Sequence, residues 1–547
     1  MNAEQPHGNL PGRLDALRPQ IEELMRIAGT AGLSVGVHRD GSAPYCMNFG
    51  LRDVKNNLAV TEKTIFPACS LTKLFTAMSL GTIIDDSDIS LGWSTRIKDI
   101  LPDFDIADDL LREHMTIADA LSHRTGMSVA DFYLGSDNNI IIPYEDSLKF
   151  ISDQVPISPF RQEWGYNNLG YELAGLVLNK VLHPRGYGDV IRESFLKPLG
   201  MRRTYMKRPP SDIEDVSKAY NTLDDGTPTE IPTVKAAEGS FGGSSGGMFT
   251  CVADLLKAYT AVMEAAGDQF MCNRTFTDGL PIKRAAEIFS SKMPLNQPTF
   301  TESSYAFGVA RLQLPGQMGY IGFNPGLVPD GMPTVAKNTP SRLILYHQGS
   351  LPGALSSIVM IPSLRITAVV MSNSLALNDC PDWVMQLLLE EILEAPDRNN
   401  FIAYSKTSAQ STLGWYEKTI KALKDAQKTG TSPSKPLEDY VGTYWNKKRH
   451  IKVNVTLKDG KLSWAIQGLE SEKFELDHYQ DDVFTWIRPR NYMAARGRWV
   501  DNPPIFWEIR FTKDKSANIN CLNWTHDPDV PAGEDFFRDK NKTRENL

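Results

Sequence analysis

Ser70-Leu71-Thr72-Lys73 stands where a run of apolar residues opens with helical periodicity. In the first turn of a helix, positions three apart share a face, so this hydroxyl and amine can meet while free backbone N–H groups favour developing negative charge. A serine hydroxyl is a weak nucleophile that needs a base, and a lysine serves when its surroundings lower its pKa. The same four residues also suit an N-cap serine followed by a solvated lysine. Tyr166-Asn167-Asn168 adds a phenol that could relay a proton and an Asn168 amide that could orient a substrate carbonyl and bond Lys73. A buried tyrosine beside an asparagine helix cap is the plain alternative, and Trp164 suits packing or a cleft wall. His347-Gln348-Gly349-Ser350 lies where a strand reaches a turn. There the backbone N–H of Ser350, paired with that of Ser70, could form an oxyanion hole, and His347 could hydrogen-bond a substrate or simply end the strand.

These groups need a scaffold to bring them together. Residues 12–28 carry apolar side chains at helical spacing and predict an amphipathic first helix, and 31–54 read as a strand pair. From 90 to 260 helical patterns alternate with irregular loops, so an all-helical region is expected. FGGSSGGMF at 241–249 is too glycine-rich for a helix interior and predicts close backbone approach to a cleft or strand. After the long 275–304 connection, β-rich runs from 305 onward and a helix at 382–395 complete a sheet begun near the N-terminus. One catalytic unit over 10–398 is therefore expected. A polar connection with a short helix spans 399–435, and 436–547 alternates as an antiparallel sheet or small barrel does.

Composition narrows the function classes. The chain has 547 residues, 58 Lys plus Arg against 66 Asp plus Glu, and a net charge of −8, which gives no electrostatic reason to expect a nucleic-acid or anionic-membrane partner. Six scattered cysteines and nine histidines form no CxxC or HExxH pattern, so no metal is expected. With no signal-like apolar stretch at the start and no run near the ~20 residues needed to span a bilayer, a cytoplasmic enzyme is the expectation.

Taken together, SLTK at 70–73, YNN at 166–168 and HQGS at 347–350 resemble the motifs of the serine β-lactamase and penicillin-binding-protein superfamily. LSHRTGM at 121–127 and GGSSGGMF at 242–249 support the likeness, which is nearest the class C β-lactamase, D-aminopeptidase and serine-esterase-like branches. The resemblance implies an α/β fold, an antiparallel sheet flanked by helices plus an all-helical region. It also implies Ser70 as nucleophile, Lys73 as its proton acceptor, Tyr166 as general base or shuttle, Asn168 as a positioning group, and no cofactor. In the third motif, lactamases and transpeptidases of the superfamily carry Lys-Thr/Ser-Gly where this chain has His-Gln-Gly. The charge and hydroxyl suited to gripping a substrate carboxylate are thereby lost. A small-molecule ester, thioester or small amide is the expected substrate. Acyl transfer, D-aminopeptidase action, weak β-lactamase action and an inactive binding protein are the alternatives. The C-terminal segment, opening at EDYVGTYWN (438–446), resembles the lipocalin-like appendage of some relatives and could roof the cleft.

Overall fold

The computed structural model describes residues 9–86, 88–295 and 300–539, so 296–299 of the long connection and 540–547 of the β-rich segment lie outside the described residues. Strands from both ends of the first 400 residues build one nine-stranded sheet. Its order is 58–59, 45–53, 32–39, 366–372, 354–361, 342–351, 310–314, 303–305 and 293–294, with every neighbour antiparallel. Leu33 stands opposite Ser372, so strands more than 300 positions apart in the chain are hydrogen-bonded neighbours.

Ala354–Ile361 and Ile366–Ser372 are buried at every position, in keeping with their mostly apolar composition without polar alternation. Their side chains alternate between two cores. Leu355, Val359 and Val370 face the helices Arg18–Ala28 and Cys380–Ile392, while Ile358, Met360 and Val369 face Val252–Cys272. The 12–28 stretch forms two helices rather than one, Leu10–Asp15 and Arg18–Ala28. Pro19 lies in the first turn of the second, where its missing N–H forfeits no helical hydrogen bond.

Between 90 and 272 the chain is mainly helical, with Asn168–Leu182 and Val252–Cys272 as the long members. The hairpin Ala219–Thr222/Pro228–Ile231 interrupts it. Its four-residue arms are too short to display an alternating pattern, and it is held by a parallel pairing with Ser374–Leu375. The connection after 399 holds two helices, Phe401–Leu413 and Trp415–Ala426, where its polar composition suggests one short helix. The Asn400 side chain caps the first, and Tyr404 stacks on Trp383 at 5.7 Å, tying this segment to the sheet domain.

Beyond it, eight strands from Gly442–Asn446 to Glu534–Arg538 follow one another in sequence order and close into a barrel. Buried Trp464, Trp486, Trp507 and Trp524 fill the interior, with ring centroids as close as 4.6 Å. That interior is a packed core, in keeping with a small eight-stranded barrel. Among the described residues, no helix is long and apolar enough to cross a membrane.

One buried charge organises the loops around the cleft. The Asp119 side chain is fully buried in the short helix Ile117–Leu121, where it forms a capping box with Thr116. It accepts from Arg124 Nε at 2.7 Å and from Arg161 Nη2 at 2.7 Å. These bonds overcome burial and hold its pKa below the usual carboxylate value. Its stabilising contribution is therefore complete above the unfolded carboxyl pKa and is lost as pH falls through the lower folded value. Asp119→Ala removes the carboxylate partner of the half-buried Arg124 and one of two partners of the exposed Arg161, and is expected to cost about 2 kcal/mol, seen as a lowered denaturation midpoint.

Candidate active site

Ser70 lies in a 3-10 turn, Cys69–Leu71, that runs directly into the helix Thr72–Ile84. Its side chain makes no capping bond. Cys69 holds a left-handed backbone (φ 53°), a conformation costly for a non-glycine residue, just before the serine. The turn is pinned on both sides. The Thr72 hydroxyl donates to Cys69 O at 2.7 Å and accepts from Met248 N at 3.1 Å, while Ala68 N donates to Met248 O at 2.7 Å.

The glycine-rich segment therefore sits against the helix that carries Lys73. It includes one helical turn, Gly243–Gly246, which its composition does not suggest. A Cβ on Gly243 would lie 2.1 Å from Ala237 O, so only glycine permits this approach. The result is to bring Ser245 O to 2.9 Å from Lys73 Nζ.

Tyr166 and Asn168 arrive from the start of the helix Asn168–Leu182, which Asn167 caps by accepting Leu169 N. The preceding residues are oriented by His123, itself at a left-handed φ of 56°. Its Nδ1 accepts the Asn167 N–H at 3.1 Å, and its ring packs 4.4 Å from that of Tyr166. This position is the histidine of LSHRTGM.

Tyr166 Oη is 2.8 Å and Lys73 Nζ 3.0 Å from Ser70 Oγ, and Lys73 Nζ is 2.8 Å from Asn168 Oδ1. Lys73 is completely buried, and loss of hydration brings its pKa down to about 7 despite the raising influence of Asp131, Cys69 and Glu172. The phenol of Tyr166 is pushed well up by burial, although its bond to Ser70 opposes the shift. A neutral lysine amine has two N–H donors and one lone pair. Here two carbonyl-type oxygens face it, Asn168 Oδ1 and Ser245 O, and the remaining neighbour is the Ser70 hydroxyl.

Asn168 Nδ2 donates to Asp131 Oδ1 at 3.2 Å, so the carboxylate sets which end of that amide faces Lys73. Asp131 itself is raised to about 6 by burial. Sequence reasoning assigns no role to Asp131 or to the Ser245 carbonyl. The glycine-rich run could have pointed to the latter, but SVADFY carries no signal for the former.

The strand Arg342–Leu351 passes close by. A Cβ on Gly349 would lie 3.0 Å from Ser70 N and 2.9 Å from Cys69 Cβ, and the half-buried Ser350 joins Ser70 in lining one cavity. His347 is fully buried and does not line it. Its ring lies 6.1 Å from that of Tyr166, its Nε2 bonds Tyr305 Oη at 3.0 Å, and burial lowers its pKa to about 3, which keeps it neutral. Trp164 also lies outside the cavity wall and packs 6.2 Å from Tyr166 and 6.1 Å from Tyr305.

The cavity has a volume of about 450 Å³ and is enclosed by both parts of the chain. Ser70, Tyr166 and Asn168 line it together with Arg498, Trp499 and Asp527 of the C-terminal segment. Among the described residues no group of three or more His, Cys, Asp or Glu side chains could hold a metal ion.

Comparison with known proteins follows these two parts. The model of the family described as Beta-lactamase matches residues 17–389, and that of a domain of unknown function, DUF3471, matches 426–536. The unguisins hydrolase ungD' of Aspergillus campestris (strain IBT 28561) is 26% identical over 441 residues, covering 76% of this chain and 72% of its own. The unguisins hydrolase ungD of Aspergillus violaceofuscus (strain CBS 115571) is 25% identical over 508 residues, covering 85% and 81%. An octameric penicillin-binding protein homologue from Pyrococcus abyssi has the same fold over 96% of this chain and 100% of its own, with a TM-score of 0.55 and 18% identity. With the family model matched over more than half its length, this chain belongs to the beta-lactamase family.

Proposed function

We propose that the protein is a serine acyl hydrolase that forms a covalent acyl-enzyme on Ser70 with an ester, thioester or small amide. The observation that carries this reading is the enclosure of Lys73, whose amine is brought to about 7 and is aimed at the Ser70 hydroxyl. In its neutral form Lys73 takes the Ser70 proton as Oγ bonds the substrate carbonyl carbon. The backbone N–H groups of Ser70 and Ser350 would receive the resulting oxyanion. As the C–O, C–S or C–N bond breaks, Tyr166 gives its proton to the leaving group and is reprotonated from the Lys73 ammonium. Water then attacks the acyl-enzyme, with the same groups moving protons in reverse.

His347 would act by supporting Tyr166 and Tyr305 rather than by touching substrate, and Trp164 would back the same aromatic wall. The strand position that carries a lysine in lactamases of the superfamily holds this neutral, buried imidazole, which favours substrates without a carboxylate to grip. Water as acyl acceptor is supported by the hydrolase names of the two fungal relatives. The barrel's eight strands in sequence order suit a lipocalin-like ancestry, with its role here that of a roof.

Purified protein incubated with short acyl esters, acyl thioesters, D-amino-acid amides and a chromogenic cephalosporin, with and without alcohol or amine acceptors, separates the readings. Free acid from the first three classes and weak cephalosporin turnover are expected. Strong cephalosporin hydrolysis would overturn the interpretation of His347. Predominant formation of a new ester or amide would make the protein a transferase.

A further inference from the structure

We infer that Asp527, carried by the barrel, is a positioning residue for Lys73, acting through the Val129–Asp131 turn and Asn168; the inference rests on the serine-hydrolase reading above. Asp527 is 5% exposed, and its Oδ2 accepts the backbone N–H of Val129 at 2.8 Å and of Ala130 at 3.3 Å. Its Oδ1 is steadied by the N–H of Asp529 at 3.0 Å. Buried amides require partners, and here a carboxylate from the second domain supplies them. Ala130 has φ 49°, a backbone that an L residue keeps only when its surroundings hold it.

The next two residues show what that turn is for. Phe132 is clasped by the barrel, with ring centroids 4.4 Å from His526 and 5.3 Å from Trp524. Between these two anchorages stands Asp131, whose carboxylate accepts from Asn168 Nδ2 and so keeps Asn168 Oδ1 on Lys73. If the turn loosens, the amide is free to rotate. Its NH₂ would then face the amine and compete with the Ser70 hydroxyl for the single nitrogen lone pair. The barrel would thus hold the proton acceptor in its working geometry, besides closing the cavity.

The test is the rate of covalent labelling by a small fluorophosphonate between pH 5 and 9, which reads Ser70 and Lys73 without engaging the cavity roof. The groups around Lys73 whose charge enters that profile are Asp131, Glu172, Cys69, Tyr166, His123 and His347. Asp527→Ala is expected to slow labelling about tenfold at pH 7 and to move the acid limb to lower pH, since displacement of Asp131 removes a charge that raises the Lys73 pKa. Asp527→Asn retains a carbonyl acceptor for Val129 and Ala130, though not for Asp529 N, and should recover most of the labelling rate lost in Asp527→Ala. Asp131→Asn, which leaves the barrel untouched, should shift the limb in the same direction, and adding Asp527→Ala to it should slow labelling little further.

An Asp527→Ala protein with a lowered melting midpoint but an unmoved pH profile would overturn the inference, as would multiplicative effects in the double variant. If Asp527→Ala does not fold, an unmoved profile in Asp131→Asn overturns it alone. A wild type that takes no label at all would instead overturn the nucleophile assignment on which the inference rests.

Discussion

Ser70→Ala is expected to lower hydrolysis of an activated acyl ester on the order of 10⁵-fold, the scale on which removal of a nucleophile disables an enzyme whose groups work as a unit. The neighbouring Cys69, Ser244 and Ser245 are not placed to substitute. The Cys69 thiol is buried and bonded toward Pro67 O and Ala354 O, with its pKa driven up by burial. Ser245 donates its hydroxyl to Gly242 O, and Ser244 is bonded to Tyr171 O and Glu172. Because Ser70 Oγ serves only Lys73 and Tyr166, its loss should leave the melting midpoint close to wild type. Steady-state hydrolysis and thermal unfolding, measured on the same preparation, separate loss of chemistry from loss of fold.

The second large effect is expected at Lys73. A lysine whose pKa is lowered to about 7 is protonated below that value and cannot accept a proton, so the acylation rate should climb through about pH 7 and level off above it. No descending limb from Tyr166 is expected in the accessible range, since burial pushes that phenol well up and it enters the reaction as a donor. The two imidazoles near the site do not account for a limb near 7. Burial lowers His347 to about 3, and His123 is lowered as well. Lys73→Ala should therefore cost about 10³-fold and abolish the limb together with the rate. Lys73→Arg should be no better, because a guanidinium stays charged throughout the range and cannot act as base. A limb near pH 7 that persists in Lys73→Ala would assign the titration elsewhere.

Much of this architecture is legible in the residues. The largely apolar runs RLILYHQGS and LSSIVMIPS announce strands, and these lie at the centre of the sheet. SLTK and YNN mark the ends of two helices because short polar motifs there interrupt otherwise apolar periodicity. What sequence cannot supply is direction. His347 belongs to a motif and shares a strand face with Gly349, yet it stands two positions further from Ser70 and is covered by Tyr305, while Gly349 passes the serine and Ser350 lines the cavity.

The contribution of the barrel was equally hidden. Asp527 is one of 66 acidic residues, and only tertiary docking sets it on the Val129–Ala130 amides. Asp131 meets Asn168 across 37 positions of sequence, a separation that no local pattern bridges. The short hairpin at 219–231 is illegible in the sequence for a simpler reason, since four-residue strands offer too few positions to separate a period of two from one of 3.6.

The most direct test of the account is intact-mass measurement after brief exposure of the full chain to a fluorophosphonate or activated ester, followed by peptide mapping. One covalent adduct per chain is expected, mapped to Ser70 and absent from Ser70→Ala. Absence of an adduct in the wild type, or an adduct that persists unchanged in Ser70→Ala, would contradict it.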